Sequence, residues 1–227
     1  MAWVPLESNP DVMNKYLQKL GMPSKWQMVD VLGLDPELLP SVPRPALAII
    51  LLFPTSPKYE EHKTQQEEEV KEKGQTVSEN VFYLKQVVEN ACGTIALIHS
   101  VANNTDKIQL GDGHLKQFLE DAQALNPDER GELLQKADGI INTHKQLALE
   151  GQTEAPDSST PVNYHFVAFI HKDGSLYELD GRKSFPINHG PTTEDSFLED
   201  AAKVCQQYMA RDPDELHFTV VALTAAE

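Results

Sequence analysis

Cys92-Gly93-Thr94-Ile95-Ala96-Leu97-Ile98-His99-Ser100-Val101 shows no polar face when it is wound as an α-helix. A helix that is apolar nearly all round must be covered on every side. Residues 93–101 therefore predict a central, buried helix, with Cys92 at its start. Ala46 to Phe53 is a second segment of this kind. It is a continuous apolar run of strand length after Pro43-Arg44-Pro45, and it predicts a strand buried on both faces.

Outward from these two, the chain alternates between periods. Asn9 can cap a helix, Pro10 suits its first position and Gly21 can close it, with Met13, Tyr16, Leu17 and Leu20 on one face. Trp26 to Leu32 predicts a short strand. Residues 58–73 are rich in Glu and Lys and predict a solvated helix ended by Gly74. Helical segments are expected at about 113–124 and 128–149. Residues 150–161 combine Gly, Thr, Ser, Asp and two prolines, the composition of a long loop. Tyr164 to His171 and Leu176 to Leu179 then flank Lys172-Asp173-Gly174-Ser175, a hairpin turn signal. Ser196 to Met209 returns to a helix with Phe197, Ala201, Val204, Cys205 and Tyr208 on one face. His217 to Leu223 is a last strand. Residues 150–161 are the only break in composition, so the expectation is one domain over residues 1–227.

The 227 residues include 35 acidic and 19 basic side chains, a net charge of -16. That balance argues against nucleic acid and anionic membrane as partners, because phosphates need Lys and Arg, and it favours a partner with a basic face. Two cysteines, Cys92 and Cys205, make neither a disulfide framework nor a four-thiolate zinc site. The N-terminus lacks the pattern of a signal peptide, and the longest apolar run is too short to span a bilayer. A reducing compartment, cytosol or nucleus, is expected.

Chemistry concentrates at Cys92. Free N–H groups and a partial positive charge at a helix start stabilise a thiolate, and the same groups can bind an oxyanion. Cys205 lies on the apolar face of an amphipathic helix and is expected to pack. A nucleophilic Cys needs a base and a group that orients the base. His62 and His144 fall on helices read as polar, and His99 is placed to pack. His165 stands on a strand directly after the long loop and is the candidate base. Asp180 ends the second strand of the same hairpin, so it can neighbour His165 across fifteen residues of sequence. The Gln86 side-chain amide can donate to an oxyanion beside the Cys92 N–H.

Gln86 with Asn90-Ala91-Cys92-Gly93-Thr94, Asn163-Tyr164-His165-Phe166 and Leu179-Asp180-Gly181-Arg182 resemble the ubiquitin C-terminal hydrolases, closest to the short L3-type members. The resemblance extends to Pro5-Leu6-Glu7-Ser8-Asn9-Pro10, Glu150-Gly151-Gln152-Thr153 and Arg211-Asp212-Pro213-Asp214-Glu215. It implies a papain-like α/β (α+β) fold, with an antiparallel sheet flanked by helices on both sides and a knotted backbone. It also implies a thiol hydrolase acting at the C-terminal glycine of ubiquitin, without metal or cofactor. Pro5 and Leu6 would meet ubiquitin's apolar patch or tail, Asp11 and Asp30 the tail arginines, and residues 150–161 would cross over the site. The competing readings are a ubiquitin-binding or ubiquitin-stabilising protein with little turnover, and a redox sensor, for which Cys92 lacks a resolving thiol nearby in sequence.

Overall fold

The structure, a computed structural model, describes residues 2–157, 159 and 161–227; Ser158 and Thr160 of the expected loop lie outside the described residues. Among the described residues, seven α-helices and six strands follow in the order α1 (Pro10–Lys19), β1 (Trp26–Asp30), β2 (Ala46–Pro54), α2 (Pro57–Lys73), α3 (Cys92–Ala102), α4 (His114–Ala122), α5 (Pro127–Leu134), α6 (Asp138–Ala148), β3 (Tyr164–Lys172), β4 (Ser175–Leu179), β5 (Ile187–Pro191), α7 (Phe197–Arg211) and β6 (Thr219–Ala225). One sheet holds all six strands in the order β1-β6-β2-β3-β4-β5, every pair antiparallel. No helix among the described residues is long and apolar enough to cross a membrane.

β2 is the strand that its continuous apolarity predicts. Ile49, Leu51 and Phe53 face one core, with Val167, Phe169, Phe197, Ala201, Cys205 and Tyr208; Ala48 and Ile50 face the other, with α1, α3 and α6. Helices thus cover both faces of the sheet. Truncating Ile49 or Ile50 to Ala should cost about 2–5 kcal/mol, because neither side can close the gap. α3 lies against β3 and β2 with all but its last residue buried.

Local signals set the boundaries. The Asn9 side chain accepts from Asp11 N at 3.0 Å and caps α1. Gly74 ends α2 at a φ of 75°. Asp173 and Gly174 both take positive φ, 46° and 80°, so the turn between β3 and β4 carries the twist that a tight hairpin needs.

Two expectations need correction. The helix expected over 128–149 is two helices, broken at 135–137. Leu134 of α5 and Ile140 of α6 are both buried. On one continuous helix, six residues would set them roughly 240° apart, so only a break lets both reach the core. His144, read as lying on a polar helix, is fully buried on α6. β5 was not expected, since Asn188, Gly190 and Pro191 interrupt any alternation. It sits at the sheet edge, where a proline is tolerated.

Burial pushes the pKa of His99 down to about 3 and that of His144 to about 4. Both stay neutral in the folded chain at pH values where the unfolded chain takes up their protons. Stability from these groups is therefore complete above about pH 6.5 and is lost as pH falls from there, toward about 4 for His144 and about 3 for His99. The urea midpoint should fall over that interval, and His99→Gln, which cannot titrate, should make the fall shallower. An unchanged slope in the variant would remove His99 from the account.

Candidate active site

The chain turns sharply into α3. Asn90 holds a φ of 64°, a conformation Asn tolerates better than most residues, and its Nδ2 donates to Trp3 O at 2.9 Å. No side chain caps the helix at Ala91. The N–H groups of the first turn are thus left without a side-chain acceptor at the point where Cys92 sits. Gly93 follows because its neighbours are close: a Cβ there would stand 3.0 Å from Leu6 Cβ and 3.4 Å from the Phe166 ring.

His165 is fully buried on β3, its ring 5.8 Å from Phe53 and 5.9 Å from Tyr59. Its Nε2 is 2.6 Å from Asp180 Oδ1. The antiparallel pairing of β3 with β4 produces this contact, as Asp180 is the residue immediately after β4. Asp180 is held in turn. Tyr59 OH donates to Oδ2 at 2.6 Å, Arg182 N donates to Oδ1 at 2.9 Å, and Tyr83 OH donates to the Asp180 carbonyl at 2.8 Å. Three residues on, Lys183 is buried in an ion pair with Glu178, also bonds Gln66 Oε1 at 2.7 Å, and donates its N–H to Asp180 O at 2.9 Å.

These contacts set the charges. Burial favours the neutral form of every member, and the neighbours overcome it. Burial alone would raise the Asp180 carboxyl, but His165 and the donors around it bring its pKa down to about 2. Burial would lower His165, but the Asp180 charge and Cys92 carry it up to about 9. Burial would raise the Cys92 thiol, but His165, the Phe166 N–H and Arg182 lower it below the ordinary thiol value. With Nε2 taken by Asp180, Nδ1 is the nitrogen left to serve the sulfur, and it is buried without a hydrogen-bond partner among the described residues. Cys205 shows the opposite case. Buried on α7 without a cation beside it, its thiol is pushed far up.

Gln86 lies beside this group. Its N–H donates to Gly181 O at 2.9 Å, which ties its strand of chain to the turn after Asp180. Its Nε2 donates to Val88 O at 2.9 Å, leaving one amide hydrogen for another acceptor. Pro5 and Leu6 line a cleft of about 330 Å³ together with Cys92, Asn90, Phe166 and loop residues Thr153, Ala155 and Pro156. Asp11, in the first turn of α1, and Asp30, at the end of β1, are exposed and do not line that cleft.

Sequence reasoning missed the residues that hold the site. Tyr59 on α2 offers no motif. Glu7 accepts from Gln152 N at 2.8 Å, Thr153 N at 3.2 Å and Thr153 Oγ1 at 3.0 Å, joining the 150–161 loop to the segment that carries Leu6. Glu7 and Gly151-Gln152-Thr153 were both within the stretches of resemblance, and that was the only available signal.

A thiol of lowered pKa at an uncapped helix start, with a buried imidazole–carboxylate pair nearby, is an arrangement that suits a thiol hydrolase. The family described as ubiquitin carboxyl-terminal hydrolase, family 1, matches residues 3–210. A ubiquitin carboxyl-terminal hydrolase of Drosophila melanogaster is 51% identical over 227 residues, covering 100% of this chain and 99% of that protein. The isozyme L1 of Rattus norvegicus is 48% identical, with 100% of both covered. Among solved structures, the Trichinella spiralis UCH37 catalytic domain bound to ubiquitin vinyl methyl ester superposes with a TM-score of 0.77 at 22% identity, over 100% of this chain and 97% of that one. The chain belongs to the ubiquitin carboxyl-terminal hydrolases, which are cysteine peptidases.

The coupled thiol and imidazole give up their protons as a pair. Turnover should be steady across neutral pH and fall above about pH 9, where His165 loses the proton that a leaving group needs. Iodoacetamide should alkylate Cys92 readily at pH 6.5. His165→Ala should slow that reaction by about tenfold or more, because the thiol returns to its ordinary range. Equal alkylation rates in parent and variant would show that His165 does not activate the sulfur.

Proposed function

We propose that the protein hydrolyses bonds at the C-terminal glycine of ubiquitin, releasing small or unfolded adducts through a thioester on Cys92. His165 takes the thiol proton and gives it to the leaving group. Asp180 holds the imidazole, and the Cys92 N–H and the free amide hydrogen of Gln86 receive the oxyanion. Water then attacks the thioester with His165 as base. The observation that carries this reading is the 2.6 Å His165–Asp180 contact behind a thiol of lowered pKa, at one wall of a narrow, largely apolar cleft. Residues 1–227 act as one catalytic unit. Both cysteines are free thiols, which suits a reducing compartment, cytosol or nucleus.

The cleft wall supports the choice of leaving group. Loop residues Thr153, Ala155 and Pro156 close one side of it, and Glu7 fastens the loop's beginning. A chain of about twelve residues reaches at most roughly 40 Å when fully extended and far less as an arch. A peptide passes under such an arch, and a folded domain does not pass readily.

A ubiquitin C-terminal fluorogenic amide tests the activity. The parent should turn it over, and Cys92→Ser should bind ubiquitin with similar affinity and lose turnover. A parent that binds without turnover would be a ubiquitin-binding protein. His165→Ala and Asp180→Asn should each lower kcat by several powers of ten, and their double variant by little more than His165→Ala alone, since they act as a unit. Inserting a flexible Gly/Ser segment after Asp157 should raise cleavage of folded diubiquitin relative to the small amide. If the parent cleaves both equally fast, the loop is no filter.

Asp11 and Asp30, exposed on an acidic chain, are proposed to meet the arginines of the ubiquitin tail. Association should slow as salt is added, and Asp30→Ala should flatten that dependence. A parent whose association rate ignores salt would leave the charge of -16 without a role in binding.

A further inference from the structure

Beneath the first turn of α3 runs a buried line of polar groups that the chemistry above does not use. Tyr16 OH and Thr94 Oγ1 are 2.7 Å apart, Thr94 Oγ1 and His144 Nδ1 are 2.7 Å apart, and His144 Nε2 is 2.6 Å from the Val4 carbonyl. All three side chains are fully buried. The direction of every bond follows from one fact. A carbonyl can only accept, so His144 Nε2 carries the hydrogen and Nδ1 is bare. Nδ1 therefore accepts from the Thr94 hydroxyl, whose oxygen accepts from Tyr16. His144 stays neutral at ordinary pH, as this pattern requires.

The line ends on the segment Trp3–Ser8. That segment is fixed at Trp3, whose N–H donates to Glu89 O at 2.9 Å and whose carbonyl accepts from Asn90 Nδ2 at 2.9 Å. Trp3 also packs edge-on to the His144 ring, with centroids 4.7 Å apart. Beyond Val4 come Pro5, Leu6 and Ser8, which form one wall of the Cys92 cleft. Among the described residues, the hydrogen bonds that side chains make to the main chain of Trp3–Ser8 come from Asn90 and His144 alone, and His144 makes the one nearer the wall.

We infer that His144 is a positioning residue for substrate binding: it locks the cleft wall at Pro5–Leu6 to the helix that carries Cys92, so that the groove keeps one width relative to the sulfur. Among the described residues, the hydrogen bonds of His144 go to Thr94 and Val4 and not to Cys92 or His165. Its loss should therefore weaken binding of the ubiquitin tail and spare the chemistry. The inference rests on the reading of this groove as the seat of that tail.

The test separates binding from chemistry. His144→Leu, His144→Gln, Thr94→Val and Leu6→Ala are each compared with the parent for kcat and KM on the fluorogenic ubiquitin amide, for iodoacetamide alkylation of Cys92, and, in a Cys92→Ser background, for ubiquitin affinity. His144→Leu should raise KM and weaken affinity by about fivefold or more, with kcat and alkylation within about twofold of the parent. Gln offers an acceptor oxygen and an NH2 donor on a single group and should recover most of the loss. Thr94→Val, which removes the tie between His144 and α3 while the Nε2–H still donates to the Val4 carbonyl, should fall between. Unchanged affinity in His144→Leu overturns the inference, and so does a parallel fall of kcat and alkylation, the mark of a general defect in α3. Should His144→Leu fail to fold, Thr94→Val decides in the same way: weakened affinity with normal alkylation supports the inference, and parent-like affinity overturns it. Leu6→Ala tells the two readings apart. If it leaves affinity intact, the groove is not the seat of the tail; if it weakens affinity while the His144 variants do not, only the positioning role fails.

Discussion

Ionising a sulfur away from water is the costly demand on this molecule, and the arrangement around Cys92 reads as successive compensation. Ionisation of Cys92 at that depth is favoured by His165 above all, with the Phe166 N–H and Arg182 beside it. His165, itself without contact to solvent, can hold a proton only because Asp180 faces it. Asp180 can stay ionised only because Tyr59, the Arg182 N–H and the imidazole point at it. Each step moves the charge problem further from the nucleophile, from α3 through β3 and β4 to α2. The helix has to meet the strand ends where it does, and the sheet must keep β3 and β4 in register, or the sequence of compensations breaks.

Three buried histidines show how much the neighbour matters. His99, His144 and His165 are all without exposure, yet the first two are held neutral and the third is held charged. His99 accepts from Leu84 N and His144 donates to a carbonyl; both tasks need only a neutral ring. His165 alone has a carboxylate in contact. All three are buried, so the difference in charge comes from the neighbours of His165, Asp180 first and Cys92 with it, and not from depth. The Lys183–Glu178 pair belongs to the same pattern, as a buried cation and anion tie the turn after Asp180 to β4.

Much of this could be read from the residues in order. The all-apolar run after Cys92 and the unbroken run at Ala46–Phe53 left little choice but a buried helix and a buried strand, because no polar face was available to expose. Asp173-Gly174 forced a tight hairpin, and from the hairpin the meeting of His165 with Asp180 followed. What escaped lacked a local pattern. Tyr59 reaches Asp180 across 121 residues of sequence, and nothing near it distinguishes it from a tyrosine on any amphipathic helix. His144 looked solvated because its neighbours Thr143 and Lys145 are polar, whereas the face it shares with Ile140 and Leu147 is the buried one. The break between α5 and α6 lies in a stretch whose residues all accept a helix, and only the direction of the core decides it. β5 depends on an edge that exists only once β4 is in place.

The place of β6 has a consequence for how the chain comes into being. β6 lies inside the sheet, between β1 and β2, and among the described residues β1 pairs with β6 alone. Residues 26–30 therefore wait for residues 219–225, and until these emerge from the ribosome the sheet lacks an interior member and β2 keeps a bare, strongly apolar edge. At roughly 5–20 residues per second, that wait lasts about ten to forty seconds after β1 is made. An edge of that kind invites pairing with other chains. A nascent polypeptide of this design should thus depend on chaperones for most of its synthesis and then acquire its sheet in one late step, with long-range pairings that are slow to find.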